Sequence, residues 1–331
     1  MGDLPLGGQR PRGASSLLPE LSATFAAVAW GLIPVGTRFL LASFTASEVI
    51  SIRFSATFLI SIFLLIASGV GRWPARALFN AVAWSLVGLV AYQFLVTDAL
   101  NYTEASSAGI ILGLEPLIVL IVDSIWNRRR PRPRILFAVL IGLLGVVAVV
   151  SGGGGHASRH ELFGDLLILT AAVCWALYIV GTRSIGATFG SVGLSAISVS
   201  SSSLILALIS VDSLGRGLAK LTTTSGLVFA FLVVFATVLG FVAWTYGSSR
   251  LSSVEVGLFL YLIPVASVAG GITLLGESLT WRIGLGAVLI LLALVLSFRG
   301  RDLIEGANDL DGGVRNPLPL VLGHPELDHG E

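Results

Sequence analysis

Ten stretches of mostly apolar residues dominate the chain, and each is about 20 residues long. They cover residues 21–41, 47–68, 77–99, 104–126, 134–151, 162–183, 191–211, 225–247, 252–275 and 280–299. A transmembrane helix needs about 20 apolar residues to cross the hydrocarbon core, whereas a barrel strand is about half as long and alternates in polarity. The gaps between the stretches are too short for a soluble domain. The sequence therefore predicts an all-α integral membrane protein with ten transmembrane helices.

The composition agrees with a lipid environment. The 331 residues are 55% hydrophobic and 12% charged, and the mean hydropathy is +0.92. A soluble domain is about 25% charged, so this chain cannot cover its surface with charge and the lipid bilayer must surround it. A net charge of +1 gives no reason to expect nucleic acid as a partner. The single cysteine, Cys174, excludes an intrachain disulfide, and no cluster of His, Cys and carboxylates predicts a metal or a cofactor.

The basic residues of the loops predict the orientation. With a cytoplasmic N-terminus, 14 Lys and Arg residues fall on the cytoplasmic side and 5 on the other. Both termini should therefore be cytoplasmic, with 1–20 as the N-terminal segment, 152–161 as an external loop and 300–331 as a disordered tail. No apolar segment precedes residue 21, so the first span should itself direct insertion. Arginine is abundant and lysine nearly absent, which suggests a GC-rich bacterium and its inner membrane.

The chain also contains an internal repeat. The stretch AVAWGLIPVGTR at 27–38 matches AVCWALYIVGTR at 172–183 at an offset of 145, and SSAGIILGLEP at 106–116 matches VEVGLFLYLIP at 254–264 at an offset of 148. Each half, 21–151 and 162–299, holds five predicted spans. An odd number inverts the second half relative to the first, and inverted repeats are typical of secondary transporters that bind a small molecule near the membrane midplane.

The same residues resemble the drug/metabolite transporter superfamily, in particular its EamA family of two five-helix repeats. The resemblance covers 21 to 299 and is carried by Trp30-Gly31, Arg38, Arg53, Pro264 and Gly276-Glu277. It implies efflux of small metabolites, such as amino acids, or of drugs, energised by an ion or proton gradient. Two departures stand out: the first half lacks Gly-Glu after its fourth span, and the seventh span has no counterpart of Arg53.

Glu115 is the strongest candidate for a coupling residue. It lies in the middle of the fourth span, where a carboxylate costs about 2.5–3.5 kcal/mol on insertion scales, and Pro116 follows it. Proline disfavours helical geometry in the residue before it, so we expect a kink at this point. A buried carboxylate beside a kink suits a proton, a cation or an ammonium group. The alternative is a structural hydrogen bond to a neighbouring helix.

Other candidates are less specific. Arg53 could form an ion pair with Asp98 or Glu48, which we favour, or could contact an anionic part of the substrate. Asp123 could lie on the pathway or neutralise nearby arginines. The aromatic and amide residues deepest in the spans could line a cavity or simply pack, and Pro264 could provide the matching kink in the second half. The aromatic and amide candidates are Trp30, Tyr92, Gln93, Trp175, Tyr178 and Tyr261.

Two other classes of function compete with a transporter. An intramembrane enzyme would need a catalytic set such as HExxH, and none of the predicted spans contains a histidine. A non-transporting membrane scaffold or receptor subunit would explain the spans, but it would not explain the duplication.

Overall fold

The computed structural model describes residues 17–67, 73–128, 133–150, 159–248, 250–251, 259–278 and 280–310. Within these ranges the chain is helical and contains no strand. The helices of the first half are α1 (Leu18–Gly31), α2 (Ile33–Leu41), α3 (Ala46–Ala67), α4 (Ala75–Ser85), α5 (Tyr92–Ala99), α6 (Ala105–Leu112), α7 (Glu115–Trp126) and α8 (Pro133–Val150). Those of the second half are α9 (Arg159–Ile209), α10 (Val211–Ala219), α11 (Thr223–Ala230), α12 (Gly240–Ser248), α13 (Leu262–Leu275) and α14 (Trp281–Leu310).

Six helical segments of the described chain are long and apolar enough to cross a membrane, which confirms a multi-pass membrane fold. A seventh is the pair Gly193–Ile209 and Val211–Ala219, bent by 79°. Three shorter apolar helices, Leu136–Val149, Leu262–Leu275 and Trp281–Ala293, lie within the remaining predicted spans. All ten predicted stretches therefore contain apolar helix, while ten complete crossings remain a prediction.

Two spans of the first half are each interrupted by a short turn, although each still forms a single crossing. The first is interrupted at Leu32, between α1 and α2, and the fourth is interrupted between α6 and α7. In each case a proline, Pro34 or Pro116, lies in the first turn after the break. Proline fits there because amide groups in the first helical turn have no carbonyl partner within the helix.

Two other irregularities occur at corresponding places in the two halves. A π-helical segment, Leu86–Ala91, joins α4 to α5, and a second, Phe231–Leu239, joins α11 to α12. These segments belong to the third and eighth spans, which the internal repeat relates to each other. The long helix α9 contains a separate break at Gly190, whose φ of 67° and ψ of 167° favour a residue without a Cβ atom.

The two halves pack against each other through matching contacts. Gly36 packs against Leu232, and its counterpart Gly181 packs against Trp84. Gly181 follows Gly36 by 145 residues, and Leu232 follows Trp84 by 148 residues. These are the same two offsets that relate the repeated sequences. Trp30 likewise packs against Gly240, and Trp175 against Tyr92, again at these offsets. The repeat is therefore present in the tertiary contacts, while inversion of one half relative to the membrane stays a prediction.

The main apolar core lies between the halves. Ile110, Ile111 and Leu117 of the first half pack there with Ile168 and Ile290 of the second. Large apolar side chains elsewhere point outward, as expected of a surface that meets lipid.

Two predicted boundaries differ from the structure. Helix α9 begins at Arg159, three residues before the predicted span, and α14 continues to Leu310. Residues 301–310, predicted to be disordered, therefore extend the last helix. Most of the predicted N-terminal segment and external loop, and the rest of the tail from 311, lie outside the described residues.

Candidate substrate site

Glu115 is the first residue of α7 and therefore lies at the break of the fourth span. The residue as a whole is partly buried, and its Oε1 atom is fully buried without a hydrogen-bond partner. The Tyr92 side chain interacts with the Glu115 carboxyl group. Pro264 lies close by, since a Cβ atom on Gly113 would be 3.5 Å from its Cγ atom. Pro116 and Pro264, the two prolines for which kinks were expected, thus both lie near the turn that precedes Glu115.

Arg53 joins the same set of residues from α3. Its Nη1 atom donates to the Oε1 atom of Gln93 over 3.4 Å. The guanidinium also interacts electrostatically with the neighbouring Tyr92 side chain. Tyr92 and Gln93 are the first two residues of α5, directly after the π-helical segment. Arg53, Gln93, Tyr92 and Glu115 thus form one connected series of polar side chains.

An aromatic surface adjoins this series. The ring centroids of Tyr92 and Trp175 are 5.7 Å apart, and those of Trp175 and Tyr178 are 5.5 Å apart. Tyr178 packs directly on Gly88, where any side chain would collide with it. The structure therefore brings six predicted site residues together, which we call the central cluster. It consists of Arg53, Tyr92, Gln93, Glu115, Trp175 and Tyr178.

Two aromatic candidates lie outside the central cluster. Trp30 packs against Phe241 and Trp244, and its Nε1 atom donates to the carbonyl oxygen of Ala236 over 3.0 Å. Trp30 therefore joins α1 to the eighth span. Tyr261 precedes α13 and packs on the margin of the main core.

The predicted ion pair of Arg53 is wrong. Glu48 instead pairs with Lys220, with 2.7 Å between Oε2 and Nζ, and it also accepts from the amide of Thr45. Asp98 interacts with Asn101 beyond the end of α5. Neither carboxylate is therefore paired with the guanidinium of Arg53. Asp123 pairs with Arg183 over 2.5 Å, which agrees with its neutralising role.

Sequence analysis missed a second polar region at the ends of the helices. Glu277 accepts from the amides of Ala105 and Ser106 over 2.8 and 3.0 Å and from the Ser106 hydroxyl over 2.6 Å. Its Oε1 atom is 3.6 Å from the Nε atom of Arg38, which also donates to the carbonyl oxygens of Leu100 and Thr103. The Gly276-Glu277 motif was the available signal, but sequence alone did not reveal its partners.

Two further contacts join the halves in this region. Thr103 donates to Asp165 over 2.6 Å, and Lys220 pairs with Glu48 as described. We call the region formed by Arg38, Glu48, Thr103, Asp165, Lys220 and Glu277 the Glu277 end. Beside it, burial and the negative charge of Glu277 raise the pKa of Glu104 above its ordinary value.

A depression of about 230 Å³ lies between α3 and α5, and its lining includes Ile50, Phe94 and Asp98. None of the central-cluster residues lines it. Among the described residues, no group of three or more His, Cys, Asp or Glu side chains could hold a metal ion.

Comparison with known proteins identifies the family. The model of the EamA-like transporter family matches residues 17–151 and again 162–299. The chain belongs to this family. The two matches also coincide with the two halves of the repeat, so each half is one EamA unit.

Relatives and a solved structure agree. The chain is 26% identical to an uncharacterized transporter of Archaeoglobus fulgidus over 85% of this chain and 97% of the relative. It is 27% identical to the uncharacterized inner membrane transporter YedA of Escherichia coli K12 over 87% of this chain and 93% of the relative. A solved crystal structure with 18% identity covers 84% of this chain and 96% of its own, at a TM-score of 0.57, and shares the fold.

Proposed function

We propose that this EamA-family protein is a secondary transporter that exports small metabolites, such as amino acids and related compounds, or drugs, by alternating access. Transport is coupled to protons through Glu115. The protein lies in a bacterial inner membrane, as its relative YedA does, with both termini in the cytoplasm, as the arginine distribution predicts.

The observation that carries the proposal is the partnerless oxygen of Glu115 at a helix break. A buried polar atom without a hydrogen bond costs free energy, and a bound proton, cation or substrate would offset that cost at Glu115. A carboxylate there can hold either a proton or a cationic group. Competition between the two for one side chain would couple proton entry to substrate exit.

The Glu277 end supplies the second element of alternating access. Three contacts cross it from one half to the other: Arg38 to Glu277, Glu48 to Lys220, and Thr103 to Asp165. In the predicted orientation this end faces the outside. Release of substrate there requires these contacts to open, while the opposite end closes. A scaffold or receptor subunit would have no use for a partnerless carboxylate between the halves.

Glu115→Gln tests the coupling because it keeps the size of the side chain but cannot ionise. Substrates are first found by thermal shift of the purified protein with amino acids, nucleobases and cationic drugs. In proteoliposomes the variant should lose transport driven by a pH gradient, while exchange of substrate down its own gradient continues.

Asp123→Asn is the matched control. It removes a carboxylate from the same helix, two turns further on, where Arg183 already neutralises it. This variant should keep transport driven by the pH gradient. Wild-type accumulation by Glu115→Gln would disprove coupling at this residue, and absence of any flux by the wild-type protein would disprove the transporter itself.

A further inference from the structure

We propose that Arg53 binds an anionic group of the substrate, so that the transported compounds carry a carboxylate or a comparable small anion. This inference rests on the proposed transport function, and it assigns a ligand to a residue for which sequence analysis favoured a structural ion pair.

Burial is the first observation. Only 3% of Arg53 is exposed, and α3 carries it within a membrane-spanning segment. Arginine in the middle of a span costs about 2.5–3.5 kcal/mol on insertion scales, and buried charges are normally paired. A compensating interaction is therefore expected within reach of the guanidinium group.

The described residues do not supply that interaction. Among the described residues, three carboxylates form ion pairs with Arg or Lys: Glu48, Asp123 and Glu277. Each of them is paired with a cation other than Arg53. The Nε atom of Arg53 has no hydrogen-bond partner, and the single bond to Gln93 is long at 3.4 Å. The Phe54 ring, 5.0 Å from the guanidinium carbon, adds a cation–π contact that leaves the donors unused.

The chemistry of the unused donors identifies the ligand class. Nε and an Nη atom form the planar fork that binds carboxylate or phosphate through two parallel hydrogen bonds. Tyr92 interacts with this guanidinium and also with the carboxyl group of Glu115, so both charged groups belong to one cluster. The central cluster thus offers a cationic and an acidic side chain that share Tyr92 as a neighbour. A substrate with both an ammonium group and an anionic group would satisfy both side chains.

The comparison with Arg38 and Arg183 separates this role from a structural one. Arg38 donates to two carbonyl groups and pairs with Glu277, and Arg183 pairs with Asp123. Both have protein partners, as structural arginines should. Arg53 differs from them in the lack of a protein anion.

Arg53→Met tests the inference because methionine is also long but has neither charge nor donors. The probes are the twenty amino acids, their decarboxylated amines, taurine and inorganic phosphate, with affinities from thermal shift and calorimetry. Anion-bearing compounds that bind the wild-type protein should lose about 10- to 100-fold in affinity, as expected for charged hydrogen bonds. The corresponding amines should change less than about twofold in affinity, because they lack the group that Arg53 binds.

The panel also separates the possible anions. Binding of amino acids assigns a carboxylate, binding of taurine a sulfonate, and binding of inorganic phosphate a phosphoryl group. If no anion-bearing probe binds the wild-type protein more tightly than Arg53→Met, the inference is wrong. An equal loss for amines and amino acids would also overturn it, since that pattern indicates a structural role.

Two variants guard against misinterpretation. Arg53→Lys keeps the charge without the fork and should recover part of the affinity, which provides a test if the methionine variant fails to fold. Arg183→Met removes a paired arginine outside the central cluster and should bind every probe like the wild-type protein. Without ligand, Arg53→Met should melt at or above the wild-type temperature, because it removes a buried charge that no protein anion balances; a clear decrease would contradict the inference.

Failure here is distinguishable from failure of the proposed function. If Arg53 is irrelevant to binding, the wild-type protein still transports substrate and Glu115→Gln still uncouples that transport. If the protein is not a transporter, no proteoliposome flux is seen with any substrate.

Discussion

Glu277 and Glu115 are both carboxylates at helix ends within the same membrane fold, yet their surroundings are opposite. Glu277 accepts three hydrogen bonds and pairs with Arg38, while the Oε1 atom of Glu115 has no partner. A carboxylate whose bonds are made holds the protein together. A carboxylate with an unused acceptor atom can bind a proton or a ligand reversibly.

The arginines repeat this contrast. Arg38, at the Glu277 end, has a carboxylate and two carbonyl groups as partners, while Arg53, in the central cluster, has a single long bond to an amide. The difference separates a region that joins the halves from the region that we propose binds substrate. Mutations should therefore change stability at the Glu277 end and transport in the centre.

The largest effect on stability should follow Glu277→Ala. The change leaves Arg38 and the amides of Ala105 and Ser106 without their acceptor, and breaking a buried pair typically costs about 3–5 kcal/mol. We expect a loss of about 3 kcal/mol in the free energy of unfolding, measured by denaturation in mixed detergent micelles. Glu115→Gln should change it by less than about 1 kcal/mol. Equal losses in the two variants would remove the distinction between the regions.

An intermediate effect should follow Lys220→Met. The Lys220 side chain is 45% exposed, but its partner Glu48 is only 3% exposed and would stay buried without a cation. The cost should lie between those of an exposed and a buried pair, at about 1–2 kcal/mol. Glu48→Gln made together with Lys220→Met should recover part of this loss. No recovery in the double variant would show that lysine packing, rather than charge, is what the Glu277 end needs.

The smallest effect should be a gain from Glu104→Gln. Since the pKa of Glu104 is raised in the folded protein, its ionisation favours the unfolded state, and stability falls as pH rises through the raised pKa. Glutamine removes this titration. The variant should match the wild-type protein near pH 4 and exceed it at pH 8 by less than about 1 kcal/mol, since solvent screens a half-buried group. Thermal melts at both pH values measure the difference, and a variant that is less stable at pH 8 would contradict repulsion by Glu277.

Much of the fold was predictable because lipid imposes simple requirements. Apolar stretches of about 20 residues gave the positions of the helices, and two constant offsets gave the repeat, now visible in the packing of Gly36 and Gly181. The breaks before Pro34 and Pro116 were predicted only as a kink at Pro116. Whether proline bends a helix or begins a new one depends on the packing around it.

The candidate site was predictable in part. Charged and aromatic residues deep in a span are rare, so Arg53, Glu115 and Trp175 stood out individually. Their arrangement depends on which helices touch, and a sequence without known contacts does not give it. For the same reason Glu277 was noticed as part of a motif, while its hydrogen bonds to α6, more than 160 residues away, were not foreseen.

The two π-helical segments have a consequence for the angular phase of the helices that follow them. A π turn takes up one residue more than an α turn, and each residue of an α-helix turns the chain by about 100°. Tyr92 and Gln93 come directly after Leu86–Ala91, so the direction in which they point is set by that additional residue. Deleting a single residue there would barely shorten the third span, but it would rotate its second half about the helix axis and turn both side chains away from Arg53 and Glu115.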